Sequence, residues 1–402
     1  MPSLRFFSAA VVALPALLAA SPDSVPVLKP SDKRVKVMSV SNLVFAIGSV
    51  SKGTSIMLED GVYDLSKVWP LRIRTDSLQL YGASRDPSKV ILKGAGFASP
   101  DRDEELIKIE AVGVKLAYFT LRDGRGNGVK LQTGGNDGLF IHNVHFLDIC
   151  ERSIKGPEAP VSRNGVVQYC RFEQTAPITA AIPNLHMDGD YVAGMDMMRI
   201  EGWSIHHNVF KNIRGMHGEG RAAVFLWNGC KRATVERNVF IGCDRSISFG
   251  NPKSENLDME GGVIRNNFIV AGKDISIEVC NSAGSVVAFN SIYSANPGFG
   301  RTICFFNNRE DNVVKNNLVL GKMAVLSGRK PDAAGNLFHS STAGTAAWFR
   351  DAPRGDLHLT SAAAHAIGKA VPLAQTGSDF DGEAKGGRAD IGADETGASA
   401  HP

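Results

Sequence analysis

Beyond its first 20 residues the chain has no apolar run long enough to cross a membrane as a helix. It has no excess of one charge, with 44 Lys and Arg against 41 Asp and Glu, and no basic block of the kind that binds nucleic acid. Nucleic acid is therefore not an expected partner. No CxxC pair occurs among the six cysteines Cys150, Cys170, Cys230, Cys243, Cys280 and Cys304, and no Cys/His set has zinc-site spacing. Those absences argue against a zinc ribbon or a dithiol redox centre. Aromatic residues are scarce at 7%, while glycine is abundant at 42 residues, so the chain should turn at short intervals rather than run in long helices.

What is present begins with a targeting signal. Arg5 gives a positive start, residues 6–20 form an apolar run, and small residues follow. This pattern reads as a secretory signal peptide cut near Ala20, and places the mature chain outside the cytoplasm, secreted or periplasmic, with no membrane role beyond export. Export permits disulfides. The cysteines are nonetheless expected to be small buried hydrophobes, although Cys280 and Cys304 are spaced so that they could stack.

The most informative feature is internal repetition. Segments share the order apolar, any, apolar, two polar, Asn, any, apolar. They read W-S-I-H-H-N-V-F from Trp203, A-T-V-E-R-N-V-F from Ala233 and G-V-I-R-N-N-F from Gly262. S-V-V-A-F-N-S-I from Ser285 and N-V-V-K-N-N-L from Asn312 continue the series. Aligning Asn208, Asn238, Asn266, Asn290 and Asn316 gives spacings of 30, 28, 24 and 26. Degenerate versions start at Lys115, Gly138 and Gly165. A second strand lies between motifs, ending at Asn228, Asn251, Asn281 and Asn307. The apolar period is two throughout, so these are strands.

About three short strands per repeat, with stacked repeats and no hairpin turns, imply an all-β solenoid: a right-handed parallel β-helix rather than a propeller. Asn tolerates the left-handed bend, and its amide can bond the Asn in the coils above and below. The five aligned asparagines are thus expected to form an internal ladder. The expected layout is a signal peptide at 1–20, an N-terminal segment and cap at 21–55, the β-helix at 56–340 and an irregular C-terminal cap and tail at 341–402. Residues 40–47 have helical apolar spacing and suit an N-terminal capping helix.

Three stretches resemble secreted bacterial β-helix proteins of the pectate-lyase-like superfamily. They are V-S-N-L-V-F-A-I-G-S-V-S-K-G-T-S-I-M-L-E-D-G-V-Y from Val40, L-Q-L-Y-G-A-S-R-D-P-S-K-V-I-L-K-G from Leu78, and the closing D-L-H-L-T-S-A-A-A-H-A-I-G-K-A from Asp356 with R-A-D-I-G-A-D-E from Arg388. Within that superfamily, G-E-G-R-A-A-V-F-L-W-N-G from Gly218 is similar to the alginate lyase and chondroitinase B group. The resemblance implies a catalytic Lys on this strand and a catalytic Arg on a following one. Here those strands read V-F-L-W-N and I-S-F-G-N and carry neither. Glu219 alone matches, as an acidic ligand of calcium.

Chemistry-bearing residues concentrate between His186 and Glu255. The expected catalytic set is His186, His217, Glu219, Arg221, Asp244 and Arg245, because acids, bases and cations must all act on a polymer near one bend. Arg221, Asp244 and Asp274 fall at equivalent positions of successive coils. Alternation turns Val224 and Leu226 inward and Phe225 and Trp227 outward, with Ser246, Ser248 and Glu278 on the same outer face. Trp227, Phe225, Arg199, Lys253 and Tyr191 are the expected substrate-binding residues. Asp188, Asp190 and Glu278, with Glu219, are the candidate ligands of Ca²⁺, the one cofactor considered.

Three functions follow. The first is a monomeric polysaccharide lyase acting on a uronic-acid polymer by β-elimination, in which the carboxylate is neutralised, the adjacent proton removed and the leaving oxygen protonated. The second is a glycoside hydrolase using two of Asp188, Asp190, Glu219 and Asp244. The third is a non-catalytic carbohydrate-binding or cell-surface protein.

Overall fold

The computed structural model describes residues 28–132, 135–374 and 377–396. The signal peptide expected at 1–20 lies outside the described residues. Among those described, no helix is long and apolar enough to cross a membrane.

One coil shows how the sequence folds. Ser204–His206 joins the first long sheet, Val209–Lys211 the second, Ala222–Trp227 the third and Cys230–Lys231 a minor fourth. Thr234–Glu236 then returns to the first sheet, directly beside Ser204–His206. The three long sheets hold 12, 11 and 10 strands. Their pairings are parallel and in register. The molecule is a right-handed parallel β-helix, and the parallel pairing rules out propeller blades. Among the described strands, the antiparallel pair is Phe349–Asp351 with Asp356–Leu359, in the tail.

Period-two alternation fills the tube. Ile205, Val235 and Ile264 point inward from the first sheet, and Met195, Val224, Ile247 and Ile277 from the third. In the second sheet Phe146, Phe172, Phe210 and Phe240 stack with ring centroids 4.6, 4.5 and 4.9 Å apart. Each such side chain contributes roughly 1.5–3 kcal/mol through burial. All six cysteines are free and buried. Cys280 lies opposite Phe306, and Cys304 opposite Glu278, so the two are not register partners.

The asparagine ladder exists, with two of its rungs shifted by one residue. It comprises Asn208, Asn238, Asn267, Asn290, Asn317 and Asn336, whose side-chain amides donate to the next Asn Oδ1 at 3.0, 3.1, 2.9, 2.9 and 2.8 Å. Asn266 and Asn316, expected on the ladder, precede it. They take the left-handed corner position, with φ of 51° and 57°, which His207, Arg237 and Phe289 fill in other coils. In each Asn-Asn pair the first residue makes the bend and the second enters the core. Asn266 and Asn316 bond the tail instead, at the carbonyls of Ser378 and Val371. Upstream, Cys170 stands at the ladder position and donates its backbone N–H to Asn208 Oδ1 at 2.9 Å.

The N-terminal end of the tube and one of its outer faces are covered. Helix α1 (Val40–Ser49) is capped by the Ser39 side chain, which accepts from the Asn42 N–H, and it buries Leu43, Ala46 and Ile47 over the first coil. The C-terminal segment crosses the outer face of the second sheet. Phe380 stacks on Phe268 at 3.9 Å, and Arg237 Nε donates to the Asp379 carbonyl at 2.9 Å.

Candidate functional site

In-register parallel strands line up equivalent residues about 4.8 Å apart. On the outer face of the third sheet one such column reads Arg72, Lys108, Lys130, Lys155, Asp196, Phe225, Ser248, Glu278. The early coils therefore present a basic row. Glu105 lies 2.6 Å from Lys108 and 3.6 Å from Lys130, and Glu110 holds Arg72 and Arg74 at 2.6 and 2.7 Å.

The row ends at a dense polar cluster. Asp196 Oδ2 accepts from Arg152 Nε at 2.7 Å and Lys155 Nζ at 2.8 Å, while Oδ1 accepts from Trp227 Nε1 at 2.9 Å. Burial pushes the Asp196 carboxyl up, but Arg152 and Lys155 outweigh it and bring it down to about 2. The Arg152 guanidinium lies 3.3 Å over the Tyr191 ring and also donates to the Tyr191 carbonyl. His186 packs edge-on to Tyr191 at 5.2 Å, and its Nδ1 is 2.6 Å from Glu151 Oε1. Burial raises the Glu151 carboxyl, and His186 opposes that rise. A carboxylate at Nδ1 fixes the proton there and leaves Nε2 as the basic atom. His186 Nε2 has no hydrogen-bond partner among the described residues.

Two arginines frame this centre. The buried Arg125 donates to the carbonyls of Pro183 and Asn184, which holds the loop carrying His186 in place. Arg221 reaches Met187 Sδ at 3.4 Å. Burial, then repulsion from Arg152 and Arg245, lowers the Arg221 pKa. A cation held among cations without a carboxylate of its own is suited to receive an anion.

One coil further on, Arg245 pairs with Asp274 at 2.7 Å and with Glu278 at 3.7 Å. Ser248 Oγ donates to Glu278 at 2.8 Å. Burial raises the Glu278 pKa despite Arg245. This end of the face is internally neutralised.

Several expectations are met in place. Val224 and Leu226 are in the core; Phe225 and Trp227 are outside and stacked at 5.4 Å. His186, Tyr191, Arg221 and Trp227 converge, with Arg245 and Glu278 adjoining. Others are corrected. Ser246 aligns with the core residue Ala223 and its buried Oγ has no partner, because the chain bends before the strand begins at Ile247. Asp244 organises a loop: its Oδ2 accepts from the N–H groups of Gly215 and Gly220 at 2.8 and 3.1 Å. Asp190 serves the same loop, accepting from the backbone of His217 and Glu219 at 3.1 and 3.3 Å, with His217 Nδ1 at 2.8 Å. His217 and Glu219 are therefore exposed rim residues. Arg199 is exposed at the corner after the strand Ala193–Met198, and Lys253 is exposed in the 251–257 loop.

The calcium set does not assemble. Asp188 is exposed, Asp190 is held by His217, and Glu278 is held by Ser248 and Arg245. Among the described residues, the group of acidic and histidine side chains close enough to share an ion lies elsewhere, in the tail. No step is therefore routed through calcium on this face.

The residues missing from the sequence reading are Arg152, Lys155 and Glu151, with Lys108 and Lys130. A signal for the lysines was present. E-L-I-K-I, N-G-V-K-L and R-S-I-K put Lys at one alternation phase in three successive third-sheet strands.

No family model matches the sequence, and no curated relative matches it. Solved structures do. An alginate lyase from Paenibacillus sp. str. FPU-7 superposes with a TM-score of 0.52 at 12% identity, over 76% of this chain and 95% of its own. Pectate lyase Pel9A gives 0.51 at 12% identity, over 91% of this chain and 97% of its own. At that identity the shared feature is the fold, the parallel β-helix.

Proposed function

We propose that the protein is a secreted lyase that cleaves a uronic-acid polysaccharide by β-elimination on the outer face of the third sheet. The observation that carries this reading is the gathering of Arg152, Lys155 and Arg221 beside His186 and Tyr191, at the end of a basic row. The names of the two similar structures, an alginate lyase and a pectate lyase, support it.

The polymer lies along the helix axis, with Trp227 as a platform for a sugar ring. Arg221, with Arg152 behind it, neutralises the uronate carboxyl and acidifies the adjacent C–H. His186 Nε2 removes that proton, held in orientation by Glu151 at Nδ1. The electron pair forms a C=C bond as the neighbouring C–O bond breaks, and the Tyr191 hydroxyl protonates the departing oxygen. Lys155 and Asp196 fix Trp227 and Arg152. The hydrolase reading loses support, since Asp190 and Asp244 are committed to loop backbone.

The test is a screen of the secreted protein on alginate, pectate, chondroitin sulfate and neutral glycans, with calcium or with chelator. An unsaturated-sugar absorbance on an acidic polymer, equal in both arms, is expected. His186→Ala should then lower kcat by roughly 10²–10⁴-fold. New reducing ends without absorbance would move the assignment to a hydrolase. Binding without cleavage would move it to a carbohydrate-binding protein.

A further inference from the structure

The other concentration of titratable groups lies in the C-terminal cap, on the far side of a corner from the proposed lyase centre. His358 sits on the strand Asp356–Leu359, with its ring edge-on to Phe268 at 5.0 Å. Its Nδ1 is 2.5 Å from Asp356 Oδ1, and its Nε2 is 2.9 Å from Asp381 Oδ2. One ligand atom each from His358, Asp381 and Asp394 lies within 4.8 Å of the others.

The neighbouring Asp379 is not a fourth ligand. It is fully buried, and its Oδ1 accepts the N–H groups of Asp381, Gly382 and Glu383 at 3.1, 3.0 and 2.8 Å. Its Oδ2 accepts from Glu395 at 3.1 Å. Asp379 thus shapes the loop that turns Asp381 toward His358. Asp394 is different. It is only 5% exposed, one oxygen accepts from Leu359 N–H at 2.7 Å, and the other has no hydrogen-bond partner among the described residues. One ligand atom of Asp394 faces the His358 nitrogen and the Asp381 carboxylate, a donor set that can hold a cation.

We infer that His358 Nε2, Asp381 and Asp394 form a divalent-cation site of the zinc type, which ties the strand Asp356–Leu359 to the 379–394 stretch of the C-terminal segment. Imidazole nitrogen with two carboxylates suits Zn²⁺, whereas Ca²⁺ and Mg²⁺ take oxygen ligands. The carboxylate of Asp356 on Nδ1 is the outer partner that orients a metal-binding histidine. Three protein ligands leave one position for water, on the solvent-facing side of Asp381. The groups facing His358 are Asp356 on its own strand, Asp379 and Asp381 in the loop, and Asp394. Glu395 beyond them is neutralised by Lys385 at 2.9 Å. The 2.9 Å contact between His358 Nε2 and Asp381 Oδ2 is held by a proton, which competes with a metal for the same lone pair. Metal binding must therefore release a proton and tighten as pH rises.

The test uses the full-length protein, stripped with chelator and titrated with Zn²⁺ or Ca²⁺ by calorimetry in two buffers of different protonation enthalpy. One equivalent of Zn²⁺, proton release and a thermal midpoint raised by roughly 2–6 °C are expected, with no such response to Ca²⁺. Asp381→Asn, at an open position, should keep the circular dichroism of the parent and weaken zinc at least about tenfold; Asp394→Asn should do the same. Absence of saturable binding, or zinc affinity unchanged in both variants, overturns the site.

Discussion

The outer faces of the second and third sheets are built on the same coils and solved in opposite ways. On the second, Val209, Val239, Phe268, Leu318 and Leu320 present an apolar strip, and the tail covers it with Phe380, Leu357 and Ile391. On the third, the matching positions carry Arg152, Lys155, Asp196, Arg245 and Glu278, many of them equally buried. Burial alone does not decide residue type. A face covered by its own chain becomes a second core, whereas a face the tail does not cross holds charges, each desolvated only as far as a partner compensates.

The sharpest way to break this contrast is Phe268→Ala. It empties the space under Phe380 and His358 and should cost about 3–5 kcal/mol in denaturant unfolding. A loss below about 1 kcal/mol would show that the tail does not form a packed second core.

Titration separates the faces next. Asp196 is held at about 2, below its ordinary 3.8, so its share of stability is full above that ordinary value and is lost as pH falls through about 2. His358 is raised to about 10 from 6.5, so its share is full below 6.5 and lost as pH rises through about 10. In metal-free protein, acid should loosen the region around Trp227, read by its fluorescence. Alkali should loosen the tail first, read by proteolysis. The reverse order would contradict the assignment of the two networks.

Much of the fold was legible before any coordinates, because period two and a near-regular repeat are local properties of the chain. Val224 and Phe225 could be assigned to opposite faces from alternation alone. The ladder was misplaced at Asn266 and Asn316 because two adjacent asparagines look alike in sequence. Only the pairing of Glu236 with Arg265 shows which one enters the tube. The site was legible in part. His186, Tyr191, Arg221 and Trp227 stand in the most charge-rich segment, which marked them as candidates. Glu151, Arg152 and Lys155 lie two coils upstream of Trp227, and the stacking that brings them beside it is a long-range fact. The loop bonds of Asp190 and Asp244 were not legible for the converse reason: a carboxylate that organises a loop has the same letter as one that serves a substrate.

The ladder correction carries its own measurement. Asn267→Ala removes a buried amide bonded on both sides and should cost about 1–3 kcal/mol. Asn266→Ala, which loses one bond to the tail, should cost about 0.5–1.5 kcal/mol. Equal losses would return the ladder to the first alignment. The smallest expected effect is at Trp227→Ala, which should leave the fold intact and weaken binding of an acidic polymer about tenfold. Unchanged binding would remove Trp227 from the polymer's path.

The tail's course has a consequence for how the protein folds. Arg237 and Asn266 wait for Ser378 and Asp379, more than a hundred residues later in the chain. The later coils, which carry Val209, Val239, Phe268, Leu318 and Leu320, therefore present an apolar strip that is covered only when the tail docks. A variant whose tail cannot dock would keep every coil yet be adhesive along one side. Docking of the tail, rather than coil formation, is the step that takes this strip out of water.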